Sequence, residues 1–151
     1  MKFRNLFFKL SLAAVPESAA ATAAEPLRRA VTTADAPAAK GPYSQAIRYG
    51  GLLFLAGQVP IDPKTNEWVA GDIEAQTRLV MNNISAILAA NAMTMANVLS
   101  TTVYLKDFAD FQKMNAVYAS YFTEVAPPAR TTVPAPLGGT MLIEISAIAG
   151  R

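Results

Sequence analysis

Near its end the chain runs Leu142, Ile143, Glu144, Ile145, Ser146, Ala147, Ile148, a segment that is apolar on both of the faces a β-strand presents. A strand of this kind is expected inside a sheet that is covered on both sides. The rest of the chain supplies one cover. Ile73, Val80, Ile84, Ile87 and Leu88 recur at helical spacing behind Asp72, a candidate N-cap. Phe111, Met114, Tyr118 and Phe122 make a second helical stripe behind Asp107. Between them, Val98 to Leu105 alternates as a strand, with Leu99, Thr101, Val103 and Leu105 on one face and Ser100, Thr102 and Tyr104 on the other. Ala46 to Tyr49 and Leu52 to Gln58 read as strands around Gly50-Gly51, and Asp62 to Asn66 as a turn. Arg130 to Val133 reads as a short extended piece between prolines. The order ββ-α-β-α-ββ predicts an α+β domain of ferredoxin-like kind, a mixed sheet with two helices on one face. The other face is left for a partner, so an oligomer is expected.

At 151 residues the chain is expected to form one domain around one modest core. Residues 1–24 read as a presequence. Lys2 and Arg4 precede Leu6-Phe7-Phe8 and the run Leu10 to Val15, and Ala21-Thr22-Ala23 offers a cleavage pattern of the A-x-A kind. Lys9 and Pro16 interrupt the apolar stretch. Export by a signal peptide, organellar transit and an uncleaved arm therefore stay open, and the compartment with them. Residues 25–39 are expected to be a linker and residues 40–151 the domain. No apolar run approaches the roughly 18 residues needed to cross a bilayer, so no membrane partner is expected.

Two absences limit the chemistry. The chain has no cysteine and no histidine. Thiolate nucleophiles, Ser-His-Asp arrangements and the usual zinc ligand sets are thereby removed, and no metal or cofactor is expected. Any catalysis must use carboxylates, Tyr, Lys, Arg, hydroxyls, backbone amides and water, which suits a substrate that is already labile. The formal charge of +2 arises in the first residues. Setting aside residues 1–24, with Lys2, Arg4, Lys9 and Glu17, leaves 10 basic and 10 acidic residues of the 13 and 11 in the whole chain. A neutral body without a cluster of Lys and Arg predicts no nucleic-acid partner.

Glu144 is the most informative candidate. A carboxylate within an apolar strand loses hydration, which raises its pKa unless a cation or hydrogen-bond donors answer it. It is a proton-transfer group, an edge-strand glutamate facing solvent, or half of a structural ion pair. Arg130 follows Pro127-Pro128-Ala129, a stiff segment, and a planar guanidinium binds a carboxylate through two parallel hydrogen bonds. Its alternatives are a surface arginine or the structural partner of Glu144. Gly41-Pro42-Tyr43-Ser44-Gln45 and Ala56-Gly57-Gln58-Val59-Pro60 are the other local patterns. A glycine such as Gly57 at a strand end lets a ligand approach the backbone, and Tyr43 can stack on a small planar molecule or pack as core. Asn115 interrupts the second helical stripe and reads as a satisfied buried amide. Trp68 follows a turn and reads as a surface cover.

In these segments the chain resembles the Rid (YjgF) family of reactive intermediate deaminases. The resemblance spans about residues 36–150. It rests on Ala38-Ala39-Lys40-Gly41-Pro42-Tyr43-Ser44-Gln45, Ala56-Gly57-Gln58-Val59-Pro60, Thr101-Thr102-Val103-Tyr104-Leu105-Lys106-Asp107, Asn115-Ala116-Val117-Tyr118, Pro128-Ala129-Arg130-Thr131-Thr132-Val133 and Ile143-Glu144-Ile145-Ser146-Ala147-Ile148-Ala149, in that order. It implies a chorismate-mutase-like homotrimer whose sheets form a central β-barrel, with ligand clefts between subunits. It further implies that Arg130 holds a substrate carboxylate and Glu144 orients the attacking water, with Tyr43, Gly57, Thr132 and Asn115 on the substrate. The chain departs from the family pattern at Thr132 (commonly Cys or Ser), Ala56 (frequently Ser) and Ser146 (frequently a second acid), which bears on substrate preference. The implied function is a 2-iminobutanoate/2-iminopropanoate deaminase that converts 2-imino acids to 2-keto acids and ammonia. The alternatives are a non-catalytic binder of small carboxylates and an endoribonuclease or translation inhibitor.

Overall fold

The computed structural model describes residues 27–151, so the presequence expected over residues 1–24 lies outside the described residues. The elements are β1 (Arg28–Val31), β2 (Ala46–Tyr49), β3 (Leu52–Gln58), β4 (Ile61–Asp62), β5 (Glu67–Trp68), α1 (Ile73–Ala89), β6 (Val98–Leu105), α2 (Phe111–Ala119), β7 (Ala129–Pro134) and β8 (Ile143–Gly150). Six strands form one sheet in the order β1-β2-β3-β8-β6-β7, and β4 and β5 form a separate short hairpin. Only the β6–β7 pairing is parallel; the other pairs of the large sheet are antiparallel. The fold is thus the expected α+β domain, with a mixed sheet and both helices on one face.

The doubly apolar strand takes the interior place its sequence demands: β8 lies between β3 and β6. Ile143, Ile145, Ala147 and Ala149 point into the core, joined there by Leu53 and Leu55 of β3 and Val103 and Leu105 of β6. α1 covers them with Ile73, Val80, Met81, Ile84, Ile87 and Leu88, and α2 adds Met114 and Tyr118. Asp72 caps α1 as anticipated, its Oδ1 accepting from Ala75 N at 2.8 Å. Gly50 supplies the positive φ of 56° that the tight β2–β3 turn requires. Trp68 is half-exposed, at a surface position as expected.

Four expectations are corrected. Arg28–Val31, within the presumed linker, pairs with β2 as an edge strand. The segment behind it is also tied down, because buried Gln45 accepts from Thr33 N and donates to the carbonyls of Ala36 and Pro37. Leu99 points outward at 53 % exposed, since a register shift between Val98 and Ser100 breaks the alternation and turns Val98 inward instead. Asp107 caps a single 3-10 turn, Phe108–Asp110, from which α2 continues without a side-chain cap of its own. Finally, β8 is buried on one face only: Glu144 and Ser146 are half-buried and Ile148 is 37 % exposed. Phe54, which pairs with Ile148, is 40 % exposed on the same side. This is the uncovered face the sequence predicted a partner would fill.

Gln76 of α1 governs how the chain enters β8. It is 1 % exposed; its Nε2 donates to Thr140 O at 2.9 Å and its Oε1 accepts from Leu142 N at 2.8 Å. Gln76→Leu would remove the side-chain partner of both part-buried backbone groups. The expected outcome is a loss of about 2 kcal/mol in stability, read from the urea midpoint at constant slope.

Candidate active site

Arg130 lies on β7, the strand that ends the sheet beside β6, with Thr101 as its register partner. Its side chain turns to the helix-covered face. There Nη2 donates to Asn115 Oδ1 at 2.8 Å, and the guanidinium carbon stands 4.6 Å from the Tyr118 ring centroid and 5.8 Å from that of Phe111. Phe111, Asn115 and Tyr118 follow one another at four- and three-residue intervals, so one flank of α2 makes the whole cradle. Tyr118 is fixed in turn, its hydroxyl 2.8 Å from Thr101 Oγ1 in a buried hydrogen bond. Burial pushes the Tyr118 phenol above its ordinary value, against lowering by the Thr101 hydrogen bond and the Arg130 charge. The ring is therefore neutral at physiological pH. Thr132 shares the face of Arg130, opposite Val103.

The second group sits on the open face. Glu144 pairs with Tyr104 across the β6–β8 ladder, and Gly57 of β3 lies directly against its carboxylate. A Cβ added at Gly57 would stand 2.8 Å from Glu144 Cδ and would overlap Oε1. Only a residue without a side chain leaves the carboxylate this position. Burial raises the Glu144 pKa above its ordinary value. Tyr43, 55 % exposed, borders a cleft of about 600 Å³ with Ser44, Ile47, Phe54 and Ala56. Its hydroxyl accepts from Lys40 N at 3.2 Å.

The six residues named from the sequence thus fall into two groups. Arg130, Asn115 and Thr132 occupy the helix side, whereas Glu144, Gly57 and Tyr43 occupy the open side. Thr101 and Tyr104, three residues apart on β6, face opposite ways and carry Arg130 and Glu144 as their respective neighbours. The alternative in which Arg130 and Glu144 form a structural ion pair is therefore corrected: strand alternation separates them within one chain. Among the described residues, Arg130 has no carboxylate against it and Glu144 has no hydrogen-bond or cationic partner. Asn115 is indeed a satisfied amide, and what satisfies it is the guanidinium. From the sequence alone, Phe111 and Tyr118 read as core and Thr101 as a strand residue. The signal available for them was the placement of Phe111 and Tyr118 on the same helical flank as Asn115.

Among the described residues, this small α+β domain thus holds a guanidinium without a carboxylate partner and a carboxylate without a cationic one, on separate faces of one sheet. A family model described as Endoribonuclease L-PSP matches residues 33–150, and the chain belongs to this family, also called YjgF or Rid. A RutC family protein of Pyrococcus horikoshii is 54 % identical over 124 residues, covering 82 % of this chain and 98 % of the relative. A 2-iminobutanoate/2-iminopropanoate deaminase of Escherichia coli is 41 % identical over 128 residues, covering 83 % of this chain and 99 % of the relative. Among solved structures, a Rid family protein of unknown function from Yersinia pestis superposes with a TM-score of 0.79 at 41 % identity, covering 82 % and 99 % of the two chains.

The raised Glu144 pKa has a thermodynamic consequence. Between the ordinary value of 4.5 and the raised one, the folded chain holds this proton and the unfolded chain releases it. The stabilisation that protonation brings is full at low pH and is lost as pH rises through that window. Glu144→Gln, which does not titrate, is expected to be more stable than the parent at about pH 7.5 and equal to it once both carboxyl forms are protonated, near pH 3.5. Thermal melts at the two pH values check this. A parent as stable as the variant at the higher pH would contradict it.

Proposed function

We propose that the protein is a 2-imino acid deaminase, hydrolysing 2-iminobutanoate- and 2-iminopropanoate-type substrates to 2-keto acids and ammonia. The observation that carries this is the complementary pair of unanswered groups: a guanidinium held rigidly and open to an anion, and a desolvated carboxyl whose pKa is shifted toward neutrality. The name of the 41 % identical Escherichia coli relative supports the same chemistry. Since alternation places the two groups on opposite faces of one sheet, the working site joins Arg130 of one copy to Glu144 of a neighbour. A homotrimer built on the open sheet face, where Phe54 and Ile148 are exposed, provides that junction.

Arg130 receives the substrate carboxylate through two charge-assisted hydrogen bonds, leaving the C=N carbon directed toward the neighbouring Glu144. Glu144, ionised at the start of the cycle, accepts a proton from water as its oxygen bonds to that carbon. The C=N bond becomes a C–N single bond, giving a carbinolamine. Protonated Glu144 passes that proton to the nitrogen, so the carbinolamine is neutral and Glu144 is ionised again. Glu144 then takes the carbinolamine hydroxyl proton and relays it to the nitrogen as the C–N bond breaks, the carbonyl forms and ammonia leaves. A pKa raised by burial makes Glu144 a stronger proton acceptor than an exposed glutamate. Imines hydrolyse unaided, so orientation is the main demand. Thr132, Asn115, Tyr43 and Gly57 complete the substrate surroundings. The endoribonuclease wording of the family description fits this chain poorly, because the body beyond residue 24 is charge-neutral and phosphate binding requires Lys and Arg. A carboxylate binder without turnover would keep the Arg130 anchor yet release no ammonia.

The test is a coupled assay in which an amino-acid oxidase generates imino acid in the presence of semicarbazide. Arg130→Ala and Glu144→Gln are each expected to lose most of the ammonia release. Mixed and reassembled in equal amounts, the two should recover about one working site in four, as random closure of a ring of copies dictates. No recovery in verified mixed oligomers, or full activity of Arg130→Ala alone, would refute the proposal.

Gly57→Ala offers a second check. The added methyl must displace the Glu144 carboxylate, and a displacement near 1 Å costs about a hundredfold in kcat/KM. The melting temperature should stay close to that of the parent. Undiminished turnover would remove Glu144 from the mechanism.

A further inference from the structure

We infer that Tyr118 is a positioning residue for the substrate-anchoring arginine, locked for that purpose by its hydrogen bond to Thr101. The inference rests on the proposed role of Arg130 as carboxylate anchor and assigns the group that makes the anchor rigid. Three contacts carry it. The Tyr118 ring centroid is 4.6 Å from the guanidinium carbon, nearer than the 5.8 Å to Phe111. Asn115 Oδ1 takes one hydrogen of Nη2 at 2.8 Å. The Tyr118 hydroxyl is 2.8 Å from Thr101 Oγ1, in the strand that pairs with Arg130.

Each contact removes a different freedom. The aromatic face fixes the plane of the guanidinium, because a cation over a ring is attracted to its electron-rich face. Asn115 fixes rotation within that plane. A guanidinium has five donors in a rigid fork, so one hydrogen bond to Asn115 leaves donors enough for a two-pronged grip on a carboxylate. The hydroxyl of Tyr118 has no contact with the guanidinium itself. Its bond to Thr101 ties the ring to the same β6 position that is register partner to Arg130, so ring and arginine are referenced to one point of the sheet. A phenylalanine would keep the ring and lose the tie. Tyr118 also packs against Phe122, their centroids 4.9 Å apart and the ring planes tilted by 43°.

Without this cradle Arg130 would still be present but would have to be ordered by each substrate that arrives. Removing Tyr118 therefore acts on substrate capture and spares the proton transfers at Glu144. With the in situ imino acid assay, Tyr118→Leu is expected to raise KM about tenfold, with kcat within about twofold of the parent. Tyr118→Phe keeps the ring but loses the tie, so it should raise KM several-fold, less than Tyr118→Leu does. Thr101→Val leaves the ring in place untied and should also raise KM several-fold with kcat unchanged. A purely structural role would instead lower the amount of folded protein and leave the KM of the folded fraction alone.

Arg130→Ala measured alongside separates the two levels. If Arg130→Ala raises KM while folded Tyr118→Leu matches the parent, the positioning role is overturned and the anchor survives. If Arg130→Ala leaves KM unchanged, the anchor falls, and the inference with it. Should Tyr118→Leu fail to fold, Thr101→Val decides: a raised KM supports the lock, and an unchanged KM overturns it.

Discussion

Strand β8 can bury only one of its two faces within a single chain, and the functional surface follows from that constraint. Its inner residues, Ile143, Ile145, Ala147 and Ala149, are sealed by the helices. Its outer residues, Glu144, Ser146 and Ile148, face away from both helices among the described residues. Hydrophobic burial thus secures the strand from one side. The freed side presents a carboxyl that is neither fully hydrated nor paired. A glutamate on a solvated edge would be an ordinary acid, and one in the core would be a permanent liability. Half-burial at the centre of the sheet places it between these extremes.

Arg130 is handled in the opposite manner. It lies on the terminal strand of the sheet but folds back over α2, where aromatic rings and one amide hold it without neutralising it. An aspartate or glutamate in place of Asn115 would also orient the guanidinium, but it would satisfy the charge and leave less attraction for a ligand carboxylate. A neutral amide oxygen orients and leaves the charge free. The absence of histidine and cysteine is consistent with this arrangement, because a reaction that needs orientation and a shared proton can proceed with one arginine and one glutamate.

Much of the fold was legible in residue patterns. The five α1 positions read from the sequence are all core residues, Asp72 is the cap, and β8, expected inside the sheet from its apolar run, lies there. The failures have local causes. Arg28–Val31 was too short and too charged to register as a strand, and it is held by pairing with β2 rather than by any apolar pattern of its own. Leu99 was misplaced because a bulge changes the phase of an alternation that otherwise reads cleanly. Tyr118 was read as core since a buried aromatic at helical spacing looks the same whether or not a cation lies against it.

The sequence by itself determined the element order, the apolar faces and the identity of the two charged groups, because these follow from periodicity and from which side chains exist. It also placed Glu144 and Arg130 on separate extended segments. Only the tertiary structure decided on which face each would stand, since that depends on register between strands far apart in the chain. Shifting either strand by one residue would reverse its face. Pairing Arg130 with Thr101 and Glu144 with Tyr104 puts the two groups on opposite faces of the sheet, a relation that no single segment encodes.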